Sequence, residues 1–290
     1  MNVKAIQGAP TMPTFPHLDA ADLAAFDRDG YLIKRALFTP EEVALCNRVI
    51  ATDPAIKGSR LKLADAQGGS TELALWNHPG EDVFGMIARC GRVAGGAAAL
   101  LGGEVYHYHS KLTMKRPGGG GRWEWHQDYG YWYQNGCLWP DMVSVAVALE
   151  PATRENGCMQ LLAGSHKLGR LEHGRVAGQT GADPERVEQL LKQLPLVHGE
   201  MAPGDALFFH ANTLHCSAAN HSDRSRNLLI CCYNKATNDP YKDHHHPRYT
   251  PLAMVPDEAV RAAGDRLADA AGRWFLEEGK DETTEARKAG

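Results

Sequence analysis

Apolar residues between Leu18 and Phe26 recur at helical spacing, and Tyr31-Leu32-Ile33 reads as a short strand. Thr39 before Pro40-Glu41-Glu42 is a helix start, with a hydroxyl N-cap, proline at the first position and acids in the first turn. That helix is expected to run to about Ile50. A second helical stretch, Val83 to Leu101, is interrupted by small residues at Gly95-Gly96. Beyond it the period changes to two. Val105 to Lys115 alternates, placing Val105, His107, His109, Lys111, Thr113 and Lys115 on one face. That face is mostly polar, which suits a site better than a core. Further short strands are expected at 124–128, 143–149, 158–162, 196–200, 206–209, 213–217 and 226–234. Short strands separated by Gly and Pro turns favour a sandwich or barrel.

Residues 1–16 hold three prolines and no periodicity, so they read as a tail. Residues 17–290 are expected to form a single domain with its β core at about 104–235. Composition adds mostly exclusions. With 43% hydrophobic and 23% charged residues and a net charge of −4, the chain is an ordinary soluble type without the basic field that nucleic acid requires. No segment reaches the roughly 20 apolar residues needed to cross a bilayer, and Met1 to Ala5 has no apolar signal core. A cytoplasmic location with no membrane partner is expected, and homo-oligomerisation is left open. Seven cysteines without C-x-x-C spacing suggest reduced, mostly buried thiols.

The candidate chemistry lies in His126-Gln127-Asp128, followed far downstream by His215 and Arg226. An H-x-D tripeptide is common by chance. Here Trp123, Trp125, Tyr129, Tyr131, Trp132 and Tyr133 surround it, as in a walled, largely apolar pocket. On an extended strand His126 and Asp128 would point to the same side. Two imidazoles and one carboxylate on one face of an octahedral ion are the ligand set of non-haem Fe(II) oxygenases. Arg226 heads the apolar run Asn227 to Tyr233, which reads as a buried strand, where an arginine is costly unless it meets a carboxylate. Pro117 followed by Gly118 to Gly121 lacks the Gly-Lys-Ser/Thr ending of a phosphate loop and reads as a flexible loop beside the site.

These residues, His126-x-Asp128, His215-x-Ser217 and Arg226, resemble the pattern of the phytanoyl-CoA dioxygenase superfamily of Fe(II)- and 2-oxoglutarate-dependent oxygenases. The central region is similar to the ectoine hydroxylases within it. The likeness extends to Phe26 to Leu32, Leu37 to Val43, Glu155-Asn156-Gly157 with Gly164-Ser165-His166, and Pro203-Gly204-Asp205, covering roughly residues 20 to 235. It implies a mainly β fold with flanking helices, a double-stranded β-helix or jelly roll of cupin type, with helices packed on one outer face. It also implies Fe(II) on His126, Asp128 and His215, with 2-oxoglutarate and O2 as co-substrates. Arg226 and Ser217 would hold the distal carboxylate of 2-oxoglutarate, with Thr113, His109 and Trp123 also on the co-substrate. Lys111, Gln127, Tyr129 and Trp132 would form the substrate pocket, Lys111 meeting an anionic group.

The implied reaction is hydroxylation of an unactivated C–H in a small or medium organic molecule, with release of succinate and CO2. The carboxylate ligand Asp128 argues against halogenation. The sequence after Trp132, Tyr133-Gln134-Asn135-Gly136, departs from the ectoine hydroxylases and implies another substrate. Alternatives left open are desaturation or cyclisation by the same iron, a catalytically silent jelly-roll binding protein, and a zinc hydrolase site. His244-His245-His246 reads as a loop near the pocket entrance rather than a metal site, because three adjacent histidines cannot all face one ion. His107, His166, His210 and His221 carry no assignment.

Overall fold

Local chemistry sets the helical layer. In the computed structural model, which describes residues 17–273, 275, 276, 287 and 288, the expected tail 1–16 lies outside the described residues. Helix α1 (Ala20–Asp29) starts on an Asp19 capping box and ends at Gly30, whose φ of 78° is open to glycine. Strand β1 (Tyr31–Lys34) follows. Helix α2 (Pro40–Thr52) starts on Thr39, whose hydroxyl accepts from the Glu42 amide while the Glu42 carboxylate accepts from Thr39 N–H. Helix α3 (Pro54–Gly58) leads to the hairpin β2 (Leu61–Ala64) and β3 (Ser70–Trp76). The stretch expected as one interrupted helix resolves into α4 (Val83–Arg89), a π-helical turn at Gly91–Gly95 and α5 (Gly96–Leu101).

The rest is mainly strand. In order come β4 (Val105–Lys115), β5 (Trp123–His126), the short helix α6 (Asp128–Trp132), β6 (Met142–Ala148) and β7 (Met159–Leu162). Next are the hairpin β8 (His173–Val176) and β9 (Gln179–Ala182), helix α7 (Pro184–Leu191), and β10 (Leu196–Gly199). Strands β11 (Ala206–His210), β12 (His215–Ser217) and β13 (Arg226–Lys235) follow, and β14 (Arg287–Lys288) closes one edge. The large antiparallel sheet runs β1-β11-β6-β13-β4-β3-β2-β14 and the small one β10-β7-β12-β5. Together they form the double-stranded β-helix.

Alternation assigns each strand two faces. Leu112, Met114, Val143, Val145, Val147, Leu229 and Cys231 turn outward into one apolar core with Val43, Val49, Phe84 and Ala97 of the helices. Ala146, Ala148, Leu207, Phe209, Leu228 and Ile230 turn inward, toward the small sheet, with Met159 and Leu161. The helices therefore cover one outer face, and the site lies between the sheets. All seven cysteines are buried and free. Among the described residues no helix is long and apolar enough to cross a membrane.

Two expectations about β4 and its loop need correction. The pairing of β4 with β13 shifts register between Cys232 and Tyr233, so His109 faces Cys232 but His107 faces Tyr233. A bulge flips the faces on either side of it. His109, Lys111, Thr113 and Lys115 point inward, whereas Val105 packs with the outer core and Tyr106 and Tyr108 with the inner one. His107 lies outside, bridging Asn77 O (3.0 Å) and Ser110 Oγ (2.7 Å). The glycine loop, expected to be flexible, is tied at both sides: Gly120 bridges Ser70 and Asn220, and Gly121 N–H donates to Ser70 O. A Cβ on Gly120 would sit 2.7 Å from the Lys115 Cβ, so glycine allows the loop to close directly over that lysine.

Candidate metal centre

His126 ends β5 and His215 begins β12, directly opposite it in the antiparallel ladder. The two rings lie 4.1 Å apart between centroids. The strand expected to reach Asp128 stops at His126, and Asp128 opens the helical turn α6. Gly130 N–H donates to Gln127 O and Tyr129 N–H to Ala211 O, which turns the chain there. Gln127 stays extended (φ −110°, ψ 136°), so Asp128 still emerges on the side of His126. Asp128 Oδ1 is 3.8 Å from His126 Nε2 and 3.9 Å from His215 Nε2. One ligand atom from each residue lies within 4.8 Å of the others.

Hydrogen bonds prepare these atoms. Nδ1–H of His126 donates to Glu124 O (2.7 Å) and Nδ1–H of His215 to Thr213 O (2.9 Å). A carbonyl can only accept, which fixes the tautomer and leaves both Nε2 lone pairs for a metal. Burial, and then the neighbouring His215, push the His126 imidazole well below its ordinary pKa. Burial also lowers His215, against the opposing pull of Asp128. Ser144 Oγ–H donates to Asp128 Oδ2 at 2.7 Å, orienting Oδ1 toward the imidazoles. The donor set, two neutral imidazoles and one carboxylate, fits iron.

A cavity opens beside the triad, lined by His126 and His215 among others. Met159, Leu228 and Ile230 wall it, and Lys111 and Trp123 stand at its mouth, with Nζ 5.5 Å from the indole ring centroid. Its far end holds Arg226, Ser217 and Thr113. Arg226 is 2% exposed and donates to Thr113 Oγ1 at 3.3 Å, while its Nε has no partner. Burial lowers its pKa to about 10, which keeps it charged near neutrality. Directly opposite Arg226 on β4 stands Lys115, fully buried, donating to Ser217 Oγ (2.8 Å) and to Ala218 O. Burial first and Arg226 second hold the lysine well below its ordinary pKa. Among the described residues no carboxylate pairs with either side chain. Two basic groups facing across a ladder repel when both are charged. A carboxylate bound at Arg226 would offset that repulsion.

Lys115 was on the polar face marked out by alternation, but nothing in the sequence separated it from Lys111. Ser144 and Met159 carried no signal, since only the fold brings β6 and β7 to the site. Three of the expected pocket residues, Gln127, Tyr129 and Trp132, do not line this cavity. The Gln127 side chain is spent on backbone: its amide donates to Gly169 O and Asn212 O, and its Oε1 accepts from Leu171 N–H. It alternates with His126 and points to the opposite side. Tyr129 OH donates to Cys137 O, holding the following loop, and does not line the cavity. Trp132 packs edge-on to His109, with centroids 5.8 Å apart. His109 lies four residues before Thr113, roughly 13 Å along the strand, away from the Arg226 end.

The phytanoyl-CoA dioxygenase (PhyH) family model matches residues 26–228, most of the chain. The chain belongs to the phytanoyl-CoA dioxygenase family. It is therefore an iron- and 2-oxoglutarate-dependent dioxygenase that uses O2. An L-proline trans-4-hydroxylase of Streptomyces griseoviridis in this family is 30% identical over 272 residues, 87% of this chain and 98% of the relative. An ectoine dioxygenase of Halomonas elongata is 31% identical, covering 83% and 78%. The crystal structure of EctD from S. alaskensis with 2-oxoglutarate and 5-hydroxyectoine has the same fold, with a TM-score of 0.68 and 24% identity over 86% of this chain and 91% of that one. A carbocyclase of nogalamycin biosynthesis, also 2-oxoglutarate-dependent, shares the family fold at a TM-score of 0.60 and 20% identity, covering 84% and 100%.

Proposed function

We propose that this chain hydroxylates a small organic molecule that carries a negatively charged group, with residues 17–290 acting as one catalytic unit. The observation that carries the reading is the buried, carboxylate-free Arg226 at the end of a cavity that begins at the triad, with Lys115 facing it across the ladder. His126, Asp128 and His215 would hold Fe(II). Arg226 presents a planar fork to the distal carboxylate of 2-oxoglutarate. Lys115 donates to Ser217 Oγ, which leaves the Ser217 O–H free to donate to the same carboxylate. Thr113, accepting from Arg226, keeps its own O–H available. Met159, Leu228 and Ile230 exclude water from the chain of methylenes between. Iron and 2-oxoglutarate, when bound, supply the oxidation: O2 is consumed, succinate and CO2 leave, and one oxygen atom enters a substrate C–H.

Lys111 remains at the mouth, over the Trp123 ring and in no ion pair found among the described residues. Arg226 at the far end answers the co-substrate, so Lys111 is left to answer a negative group on the substrate. The relatives named for L-proline and ectoine also act on small molecules. A silent binding protein would have no use for an intact triad beside a buried, carboxylate-free arginine. The test is anaerobic addition of Fe(II) and 2-oxoglutarate to wild type and Arg226→Ala, following the visible charge-transfer band of the chelate. Wild type is expected to show the band, and the variant to need at least tenfold more 2-oxoglutarate while binding iron normally. An unchanged 2-oxoglutarate requirement would remove Arg226 from this role.

A further inference from the structure

At the opposite end of the inner face from Arg226, β4, β13 and β6 place His109, Cys232 and Ser144 in one row. Ser144 bonds Asp128, so this row reaches the back of the metal centre. His109 is 3% exposed, yet neither ring nitrogen has a hydrogen-bond partner. A buried imidazole left without partners loses the water bonds it had in the unfolded chain. His246, from the segment after β13, stacks on His109 with centroids 4.6 Å apart and planes within 22°. Trp132 and Tyr108 flank the same ring.

The His246 loop is fixed from behind. Asn77 Nδ2 donates to His245 O, so its Oδ1 must accept from His246 Nδ1–H at 3.0 Å. The Nε2 lone pair of His246 is then the free end. Burial, with Lys111 and other histidines nearby, holds both His109 and His246 well below their ordinary pKa. Both rings are therefore neutral and able to accept from an N–H. Lys111, two residues from His109 on the same face, supplies the positive charge that an adjacent carboxylate would meet.

We propose that His109 and His246 form the recognition site for an N–H-bearing cationic group of the substrate, which is thereby a small amino- or imino-acid zwitterion with its carboxylate toward Lys111. This rests on the dioxygenase reading above and deepens it by naming the substrate class. It also gives the 239–250 segment a role as the wall that discriminates among substrates, and it shifts His109 from the co-substrate to the substrate side.

The test uses the full chain with Fe(II), 2-oxoglutarate and a panel of L-amino and L-imino acids. Each is paired with an analogue in which the nitrogen is removed or replaced by carbon, such as L-proline with cyclopentanecarboxylic acid. Coupled succinate release is expected from at least one panel member and not from its nitrogen-free partner. His246→Phe, which keeps the stacked ring, and His109→Phe are each expected to raise KM for that substrate at least tenfold while KM for 2-oxoglutarate and the charge-transfer band stay unchanged. His246→Gln, which restores an acceptor, is expected to recover part of the loss. Equal turnover of the nitrogen-free partner, an unchanged substrate KM in both phenylalanine variants, or no coupled turnover of any member despite an intact band would overturn the proposal. Absence of the band in wild type would remove the dioxygenase reading itself.

Discussion

Ser144 shows how much a single hydroxyl outside the ligand set can decide. Its bond to Asp128 Oδ2 holds one carboxylate oxygen so that the other faces His126 and His215. Removing such an outer partner typically lowers metal affinity roughly 10- to 100-fold. Ser144→Ala is expected to weaken Fe(II) binding by about that factor, measured by metal titration, with the fold intact because the site of the change is a single buried oxygen. Asp128→Ala removes the proposed carboxylate ligand, and succinate release at saturating 2-oxoglutarate is expected to disappear. Near-normal turnover in that variant would exclude the three-ligand centre. His126, Asp128, His215 and Arg226 stood out in the sequence by their residue types and order, and the fold brings the first three within 4.8 Å of one another. Lys115 was not separable from Lys111, since both occupy the same alternating face and only their depth between the sheets distinguishes them.

At the scale of elements, the loop after β4 matters more than its composition suggests. Four glycines in succession read as freedom, yet the backbone is bridged to Ser70 and Asn220 and lies against Lys115. A side chain on Gly120 would meet the Lys115 Cβ at 2.7 Å and Arg116 O at 2.9 Å, and neither is a flexible end. Gly120→Val is therefore expected to displace Lys115 and Ser217 and to raise KM for 2-oxoglutarate severalfold, with iron affinity little changed. Equal loss of iron and co-substrate binding would mean the loop supports the whole site instead. The bulge in β4 is the second such element. Strict alternation put His107 with Lys111, but one extra residue turns His107 outward and leaves His109 as the last inward histidine. Alternation cannot report a bulge, because the pattern on either side of it is equally regular.

Across the whole molecule, buried neutral histidines couple stability to pH. Burial lowers His107 to about 3 and His210 to about 4. In the unfolded chain both titrate near 6.5. Between those values the unfolded state binds more protons, so stability rises with pH and is lost on acidification from about 6.5 toward 4. The denaturant midpoint of the metal-free protein is expected to fall over that window, and His107→Gln is expected to flatten the dependence. A midpoint independent of pH across the window would show that these groups are protonated in the native state or solvated.

The sequence by itself determined the reaction class and most of the architecture. Period-two alternation, helix caps and the spacing of His126, Asp128, His215 and Arg226 are local properties, and local pattern specifies which side of each strand faces inward. What only the tertiary structure decided is which inward residues meet. The facing of Arg226 and Lys115, the reach of Ser144 to Asp128, the release of Gln127 and Tyr129 from the pocket, and the stacking of His246 on His109 all join segments distant in sequence. Such contacts follow from sheet register and from where a bulge or helical turn interrupts a strand. Those are fixed by packing between the sheets, which no stretch of sequence carries alone.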